Sequence, residues 1–329
     1  MSGRKVLVTG GAGFIGSHVV DAYVAAGDQV WVVDDLSSGR RENLARSAAE
    51  LVPMDIGDSR LERLFREVGG FELVSHHAAQ IDVRKSVAEP REDARVNIDG
   101  LLNVLECALR HGTRRVVFVS SGGVVYGEPE LLPTPETAPK LPLSPYGVTK
   151  LSAEHYLYYY HRVHGLEYGA LRYSNVYGPR QDPHGEAGVV AIFCNRLLAD
   201  EALTIFGDGE QTRDYVFVGD VVAANLWLSD AALPVASSLD ERAFNVGTGM
   251  ETSVNALART LMRTTGRGAE IQHAEERKGE LRRSALDVAK LRAGGWAPRV
   301  ALDEGLRRTF EHIRSERERA SRAVSGGAA

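Results

Sequence analysis

The sequence predicts an α/β protein in which a parallel β-sheet is wrapped by helices on both faces. Its 329 residues, 43% hydrophobic and 25% charged, have the composition of a globular chain with a sizeable core. Short β-branched runs alternate with helical patterns from Lys5 to Arg172. A glycine-rich turn joins the first strand to the first helix. Together these observations indicate a doubly wound parallel sheet.

The first strand leads directly into glycines at positions 10, 13 and 16, and a helix follows to Ala26. These glycines leave room for a tight turn and for close approach of the backbone to a pyrophosphate, whose anionic oxygens are favoured at a helix N-terminus. The spacing G-x-x-G-x-x-G departs from the G-x-G-x-x-G fingerprint. Because strand, turn and helix occur in the right order, we interpret the turn as a dinucleotide site of the Rossmann type, although an ordinary tight turn is the alternative.

The second strand, from Gln29 to Val33, ends in the acid Asp34. A carboxylate at this position can accept hydrogen bonds from the adenosine ribose and would repel a 2′-phosphate, so it favours NAD over NADP. Two nearby basic residues, Arg40 and Arg41, leave NADP as an alternative cofactor. Asp55, after the third strand region, is a candidate for contact with the adenine, or alternatively a helix cap.

A predicted helix that begins at Ser144 carries Tyr146 and Lys150 four residues apart, and therefore on one face. A phenol with a pKa near ~10 is a poor base at neutral pH, but an adjacent cation favours its ionised form and lowers that pKa. We therefore expect Tyr146 to take a proton from an alcohol. The same spacing also occurs on ordinary amphipathic helices, so this interpretation depends on the upstream motifs.

After Arg172 the alternation loosens, and Pro and Gly cluster between positions 177 and 185. We predict a Rossmann domain over residues 1–175, with returns to the sheet near 214–248, at Tyr215 to Val222 and at Ala243 to Val246. A smaller interleaved C-terminal α/β substrate lobe would comprise residues 176–213 and 249–315. Residues 316–329 would form a flexible tail.

Charge and composition argue against several classes of partner. A net charge of -5 does not indicate the positively charged surface that binds nucleic acid or an anionic membrane. Cys107 and Cys194 are expected to be buried and reduced, and the histidines show no metal-ligand spacing. No apolar signal core begins the chain and no apolar stretch approaches ~18 residues, so we expect a cytoplasmic protein without membrane spans.

Taken together, these motifs resemble the extended short-chain dehydrogenase/reductase family over residues 4–314. Within it the chain most resembles the NAD-dependent epimerases and dehydratases, nearest to nucleotide-sugar 4-epimerases of the UDP-glucose/UDP-galactose type. The segments that carry the resemblance are residues 9–17, 33–39, 77–80, 120–127, 144–154, 171–179, 212–218 and 244–249.

The resemblance implies NAD as a retained cofactor, a UDP-sugar substrate and a homodimer formed by the helices from Val96 to His111 and from Ser144 to His161. It carries over the substrate contacts Asn175, Arg213 and Arg277. The cofactor contacts that it carries over are Gly10, Gly13, Phe14, Ile15, Gly16, Asp34, Asp35, Ser37, Gly39, Asp55, Ile56, Ala78, Ala79, Gln80, Asn97, Tyr146, Lys150 and Tyr173.

One position departs from the family pattern. The family usually has Ser or Thr four residues before the Tyr of its Tyr-Gly pair, where it hydrogen-bonds the reacting hydroxyl, and this chain has Gly122. We expect Ser121 to supply that hydroxyl, because a glycine pair lets the backbone bend, and we therefore count Ser121 with Tyr146 and Lys150 as catalytic. Ser121 could alternatively only cap the strand end.

The resemblance also discriminates between reactions. The related dehydratases and decarboxylases carry acids where this chain has Gly123 and Val124, so elimination is disfavoured and 4-epimerisation through a transient 4-keto sugar remains. The family's bulky Tyr near the sugar aligns with Ser284, which predicts room for UDP-N-acetylglucosamine and UDP-N-acetylgalactosamine besides UDP-glucose and UDP-galactose. Arg180 and Arg282 leave UDP-glucuronate open as a substrate. A non-catalytic NAD-binding sensor is a further alternative.

Overall fold

Seven parallel strands form the central sheet of the computed structural model, which describes residues 3–183, 188–276 and 281–326. Their order is β11-β6-β5-β4-β1-β2-β3, and every neighbouring pair is parallel. The strands of the described ranges are β1 (Lys5–Thr9), β2 (Gln29–Asp34), β3 (Glu50–Pro53), β4 (Leu73–His76), β5 (Arg115–Ser121), β6 (Glu167–Tyr173), β7 (Asn175–Tyr177), β8 (Leu203–Phe206), β9 (Thr212–Arg213), β10 (Tyr215–Phe217), β11 (Ala243–Val246), β12 (Thr252–Ser253) and β13 (Ile271–Ala274).

Helices connect these strands and cover both faces of the sheet. They are α1 (Phe14–Ala25), α2 (Arg60–Val68), α3 (Val83–Ala88), α4 (Pro90–Ala94), α5 (Gly100–Arg110), α6 (Gly122–Val125), α7 (Pro145–His164), α8 (Val189–Leu198), α9 (Val218–Asp230), α10 (Leu239–Arg242), α11 (Val254–Thr265), α12 (Ala289–Ala293) and α13 (Leu302–Gly326). A 3₁₀ turn spans Arg41–Leu44, and a π-helical turn at Arg95–Asp99 joins α4 to α5. The predicted doubly wound Rossmann-type fold is confirmed.

Two apolar layers enclose the sheet. On one side Phe65 of α2, Leu105 of α5 and Leu157 of α7 pack against strand residues. On the other side, Val20 of α1 and Leu228 of α9 fill the opposite layer. The strands are continuous β-branched runs because parallel strands are buried on both faces. The carboxyl ends of β1, β2, β4 and β5 therefore meet at one edge, which is where ligands bind in such sheets.

The smaller lobe has its own core and short sheets. Strand β13 pairs in parallel with β8, and β12 pairs with β9 in antiparallel fashion. A third apolar cluster includes Phe193 of α8, Leu257 of α11 and Phe310 of α13. Phe14 and Ile15, at the start of α1, pack against this cluster. The cofactor helix is thus in contact with the lobe.

One of the two predicted returns to the sheet is wrong. Ala243–Val246 forms β11 and pairs with β6 at the edge of the central sheet, as expected. Tyr215–Phe217 instead pairs with β7 in a separate two-stranded sheet, and the chain then turns into α9 at Val218. Val221 is buried as a helix residue in the layer that also contains residues of α1, so its hydrophobicity does not indicate a strand.

The end of the chain differs from the expectation for residues 316–329. Helix α13 runs to Gly326, so most of the stretch expected to be a tail is helical. Both cysteines are buried and free, as predicted. Among the described residues, no helix combines the length and apolar character needed to cross a membrane.

Candidate active site

The glycine turn forms a tight cradle at the end of β1. Gly10 has a φ of +66°, and a Cβ added to it would lie 2.6 Å from the backbone nitrogen of Ala78. A Cβ on Gly16 would lie 2.2 Å from the Gly10 carbonyl oxygen. Helix α1 then begins at Phe14, and its N-cap Gly13 provides no side-chain cap. Uncapped N–H groups beside a turn that excludes side chains fit the pyrophosphate of a dinucleotide.

Asp34 is held by the protein's own backbone at the end of β2. Its Oδ2 accepts a hydrogen bond from the Ala12 N–H at 2.9 Å, and its Oδ1 accepts one from the Leu36 N–H at 2.9 Å. Burial raises the pKa of this carboxyl group. A Cβ on Gly39 would lie 2.6 Å from Asp34 Oδ1, which explains the glycine there. Asp34 therefore also fixes the glycine turn against the loop that follows β2.

The two other acids of the predicted adenosine site are more open. Asp35 is exposed, and its Oδ1 accepts hydrogen bonds from the Ser37 N–H at 2.9 Å and the Ser37 hydroxyl at 2.6 Å. Asp55 accepts a hydrogen bond from the Gly57 N–H at 2.7 Å and pairs with Arg95 at 3.3 Å. Both acids lie in turns after strands of the sheet, where the sequence predicted them.

Gln80 and Asn97 are joined by two hydrogen bonds. The Gln80 N–H donates to Asn97 Oδ1 at 2.9 Å, and Asn97 Nδ2 donates to the Gln80 carbonyl at 3.0 Å. Asn97 lies on the π-helical turn and is buried. Tyr173 behaves differently, because its side chain belongs to the layer between the sheet and α9, and its hydroxyl accepts a hydrogen bond from Asn225 at 2.6 Å. A cofactor contact by Tyr173 would therefore involve its backbone.

The loop after β7, residues 178–183, is anchored to the cofactor-binding elements. The contacts that hold it are His18 Nε2 with the Pro179 carbonyl oxygen at 2.9 Å, Arg180 with Asp21 at 2.7 Å, and Arg40 with Asp182 at 3.5 Å. His18 and Asp21 belong to α1, and Arg40 lies in the loop after β2. Arg40 was one of the two residues that left NADP as an alternative cofactor, and its guanidinium is paired with the Asp182 carboxylate.

Tyr146 and Lys150 lie on one face of α7, as predicted. The Lys150 Nζ atom is 5.8 Å from the centroid of the Tyr146 ring. It donates a hydrogen bond to the Val119 carbonyl of β5 at 2.9 Å. The helix begins correctly because the Ser144 side chain accepts a hydrogen bond from the Gly147 N–H at 3.1 Å. These contacts fix the pair at the carboxyl end of β5.

The electrostatics of the pair depend on burial as well as on neighbouring charges. Burial raises the pKa of the Tyr146 phenol, the Asp93 carboxylate raises it further, and a hydrogen bond with the Ser121 side chain opposes the rise. Burial lowers the pKa of Lys150 to about 8, against the opposing effects of Asp93 and Glu154. Burial therefore dominates the pKa of Tyr146 in the protein without a bound cofactor, and the lowering expected from Lys150 and the nicotinamide charge stays a prediction for the loaded protein.

Leu286 explains why position 122 is glycine. A Cβ on Gly122 would lie 2.5 Å from Leu286 Cδ1, and Leu286 is buried. A Ser or Thr cannot fit there unless Leu286 moves. Ser121, by contrast, is half-buried at the end of β5, and its side chain lowers the pKa of the Tyr146 phenol. The structure thus brings Ser121, Tyr146 and Lys150 together.

Two of the three predicted substrate residues, Asn175 and Arg213, lie in the short strands β7 and β9. Asn175 is half-buried in β7, and its N–H donates to the Asp214 carbonyl at 2.9 Å. The Nη1 group of Arg213 donates to the carbonyls of Thr212 at 2.8 Å and Leu281 at 2.7 Å. These bonds hold the segment after residue 280 against β9. Arg277 lies outside the described residues.

Ser284 occupies the segment that leads to Leu286. The segment is held on both sides, because the Thr212 N–H donates to the Arg282 carbonyl at 3.0 Å and the Thr134 N–H donates to the Ala285 carbonyl at 2.8 Å. Ser284 itself is buried. Within the described ranges there is also no group of three or more His, Cys, Asp or Glu residues that could hold a metal ion.

Two buried acids of the site were missed in the sequence. Asp214 accepts hydrogen bonds from the N–H groups of Thr248 at 2.8 Å, Gly249 at 3.0 Å and Leu286 at 3.3 Å, and so holds two other segments of the chain against its own. In the sequence, Asp214 was noted only as part of the segment 212–218, which carries the family resemblance. Asp93 is 1% exposed and lies four residues before Asn97. The sequence signal that could have identified Asp93 is its spacing of four residues from the predicted cofactor contact Asn97, which places both on one face of a helix.

The fold and the site together define a dinucleotide-binding protein with a Ser/Tyr/Lys cluster, and comparison with known proteins specifies its family. The model of the NAD dependent epimerase/dehydratase family matches residues 6–247. A UDP-glucose 4-epimerase of Mycolicibacterium smegmatis is 47% identical over 95% of this chain and 99% of its own. The chain therefore belongs to the NAD dependent epimerase/dehydratase family.

Two solved structures are similar throughout. One is UDP-glucose 4-epimerase of Thermotoga maritima with UDP-glucose, at 48% identity and a TM-score of 0.89 over 95% of this chain and 99% of that one. The other is UDP-glucose 4-epimerase of Thermus thermophilus in complex with NAD, at 44% identity and a TM-score of 0.87 over 94% and 99%. The family resemblance and the NAD dependence expected from the sequence are thereby confirmed.

Proposed function

We propose that this protein is an NAD-dependent 4-epimerase, an isomerase that interconverts UDP-glucose and UDP-galactose through a transient 4-keto sugar. The observation that carries the proposal is the placement of Tyr146 and Lys150 on one face of α7, with the Lys150 Nζ atom 5.8 Å from the Tyr146 ring centroid and bonded to the Val119 carbonyl at 2.9 Å, at the sheet edge that also holds the glycine turn. Relatives at 44–48% identity bear the name of this activity.

Tyr146 is the base in this mechanism, and it takes the proton from the sugar 4-hydroxyl. The glycine turn and Asp34 would hold NAD, which would supply reversible hydride transfer at C4 of the sugar and a positive charge beside the phenol. That added charge would favour the phenolate, against the burial that raises the pKa of Tyr146 in the protein alone. Ser121 holds the reacting hydroxyl, and Lys150 stabilises the phenolate.

The residues around Ser121 favour epimerisation over loss of water or of carbon dioxide. A Cβ on Gly123 would have only the Ser121 Oγ within 4 Å, at 3.8 Å, so the site has space for a side chain and none is present. The next residue, Val124, is apolar and half-buried. With no acid at either position, Tyr146 has no partner for elimination.

The sugar must turn over in the pocket while its nucleotide stays bound. We assign nucleotide binding to Asn175, Arg213 and Arg277, of which Arg213 is half-buried in β9. Ser284 is a small side chain on the segment beside Gly122, and a small side chain there would admit an acetamido group. We therefore extend the proposed substrates to UDP-N-acetylglucosamine and UDP-N-acetylgalactosamine.

Activity on UDP-glucuronate has less support, because both arginines that suggested it are paired elsewhere. Arg180 donates to Asp21 of α1 at 2.7 Å, and Arg282 pairs with Asp208 at 2.8 Å on the surface. A pure NAD sensor would not require the Ser121 and Tyr146 contact. These two alternatives rank behind the hexose epimerase.

We also propose a homodimer in the cytoplasm. Helix α7 exposes Val148, Tyr159 and Val163 although these are large apolar or aromatic side chains. Such a face on a surface helix suits a second copy of the chain. Sedimentation of the purified protein would give the mass of the assembly.

The proposal is tested by incubating purified protein with UDP-galactose without added cofactor and separating the products by chromatography. Formation of UDP-glucose is expected, with the inactive Tyr146→Phe variant as control. If no product forms even with added NAD, the hexose proposal is wrong and UDP-glucuronate is tested next. Repeating the assay with the acetylated sugars measures the substrate range.

A further inference from the structure

Asp93 is a buried carboxylate between the predicted cofactor residues and the catalytic helix. It lies at the end of α4 and is 1% exposed. Its Oδ1 accepts hydrogen bonds from Gln80 Nε2 at 2.9 Å and from Asn97 Nδ2 at 3.1 Å. Its Oδ2 accepts one from the Thr149 hydroxyl at 2.8 Å. All three donors are neutral, so none of them cancels the charge of the carboxylate.

The three donors come from separate parts of the chain. Gln80 follows β4, Asn97 lies on the π-helical turn, and Thr149 precedes Lys150 on α7. Asn97 also donates to the Thr149 hydroxyl at 3.2 Å. Removal of Asp93 would therefore remove the one acceptor that Gln80, Asn97 and Thr149 share, and leave Gln80 held to the Asp82 backbone and Asn97 to the Gln80 backbone.

We propose that Asp93 is a positioning residue of the active site, which fixes Gln80 and Asn97 against α7 and supplies the negative charge that balances Lys150. This inference rests on the proposed function for its kinetic part. Its binding part concerns only the NAD site. Removing one partner from a buried, hydrogen-bonded charge is costly. We therefore assign to Asp93 the role of holding its partners in place.

The charge of Asp93 acts on both members of the catalytic pair. It raises the pKa of Tyr146, in addition to the rise from burial, and it raises the pKa of Lys150 against the larger lowering by burial. Three further ionisable groups act on Lys150 or are affected by it. Glu154 acts from α7, and His76 and His77 act from the end of β4.

These neighbours leave Asp93 as the principal counter-charge shared by the pair. Burial lowers the pKa of His76 and of His77 to about 3, so both imidazoles are neutral at physiological pH. The carboxylate of Glu154 is already paired with Arg172 at 2.6 Å. Asp93, by contrast, accepts its hydrogen bonds from the neutral side chains already described.

Two substitutions separate the charge from the hydrogen bonds. Asp93→Asn can keep its oxygen toward Gln80 and Asn97 and turn its amide toward Thr149, whose hydroxyl then donates to the Tyr146 carbonyl, at 3.0 Å in this structure. The asparagine variant thus removes the charge and retains the contacts. Asp93→Leu removes both.

The first measurement is the pH dependence of kcat/KM for UDP-galactose in Asp93→Asn. Without the negative charge the pKa values of Tyr146 and of Lys150 both fall, so both limbs of the profile move toward lower pH, by about one unit. A residue that only supports the fold would lower the rate without moving the limbs. Superimposable profiles for Asp93→Asn and the wild type would overturn the charge role.

The second measurement is NAD binding to protein stripped of cofactor, by calorimetric titration. We expect Asp93→Leu to bind NAD about tenfold more weakly or worse, because Gln80 and Asn97 lose the acceptor that aligns them with α7, and Asp93→Asn to stay within about threefold of the wild type. Equal affinity of Asp93→Leu and the wild type would overturn the positioning role. This titration needs no turnover, so it still tests Asp93 if the wild type proves inactive on every UDP-sugar.

Discussion

The Arg172 guanidinium donates two hydrogen bonds to the Glu154 carboxylate, from Nε at 3.0 Å and from Nη2 at 2.6 Å. Neither side chain is more than 2% exposed. The Ser120 hydroxyl donates to the same carboxylate at 2.5 Å. Because Glu154 lies one turn after Lys150 on α7, this ion pair connects the end of β5 and β6 to the catalytic helix.

Arg172→Met should destabilise the protein strongly, because it leaves the Glu154 carboxylate buried without a cation. We expect the free energy of unfolding to fall by about 3–5 kcal/mol. Urea unfolding followed by circular dichroism would measure it. Arg307→Met is the control, since it breaks only exposed pairs with Glu304 and Glu311 and should cost at most about 1 kcal/mol. Equal losses in the two variants would contradict the structural role of the buried pair.

Tyr146→Phe should lower kcat by about 10²–10⁴-fold, because it removes only the phenolic oxygen that takes the proton. The amount of NAD that copurifies with the protein should stay as in the wild type. Tyr158→Phe, on the same helix, removes a hydroxyl that donates to the Ser237 carbonyl at the surface and serves as the matched control. Unchanged kcat in Tyr146→Phe would exclude it as the base.

Gly122→Ser should be harmful even though it restores the hydroxyl usual in the family. Its Cβ would lie 2.5 Å from Leu286 Cδ1, and such overpacking costs about 1–3 kcal/mol of stability. Gly123→Ser is the matched control for stability, because the corresponding Cβ has its nearest neighbour at 3.8 Å. Thermal unfolding of both variants measures the difference.

The contact between position 122 and Leu286 also provides a rescue test of the catalytic role of Ser121. Ser121→Ala should lose about 10²-fold in kcat if its hydroxyl holds the reacting group. Adding Gly122→Ser together with Leu286→Ala makes room for a new hydroxyl one residue later, and we expect part of the activity to return. Full activity of Ser121→Ala alone would show that Ser121 merely ends the strand.

Ser284→Tyr should separate the acetylated sugars from the plain hexoses. A bulky ring at this position would exclude the acetamido group, so we expect kcat/KM for UDP-N-acetylglucosamine to fall by about tenfold or more while that for UDP-glucose changes little. Ser284→Ala keeps the small volume and should preserve both activities. A parallel loss for both substrates in Ser284→Tyr would place the sugar elsewhere.

The local features of the site could be predicted because their geometry is set by neighbours in the chain. The glycine turn and the pair of Tyr146 and Lys150 follow from strand and helix periods alone. The role of Asp93 depends on contacts with residues 13 and 56 positions away, and its own sequence context is an ordinary charged helix. Long-range pairing of this kind is invisible to periodicity.

Two expectations were limited by different physical effects. The apolar pattern after Tyr215 suits either a strand or a buried helix, and packing against α1 selects the helix at Val218. The pKa of Tyr146 depends on desolvation, which is a property of the folded environment rather than of the helical spacing. The glycine at position 122 could not be explained from the sequence either. Only the folded structure shows that Leu286 occupies the space that a side chain at this position would need.

The loop at residues 178–183 bears on how the protein would work inside a metabolic network. It is fastened to α1 and to Arg40, the elements that surround the glycine turn, so release of a dinucleotide from the turn would have to proceed past an anchored segment. A redox carrier that stayed bound behind this segment would be oxidised and reduced within a single turnover. The balance between the two sugars would then be independent of the redox state of the surrounding nicotinamide pool.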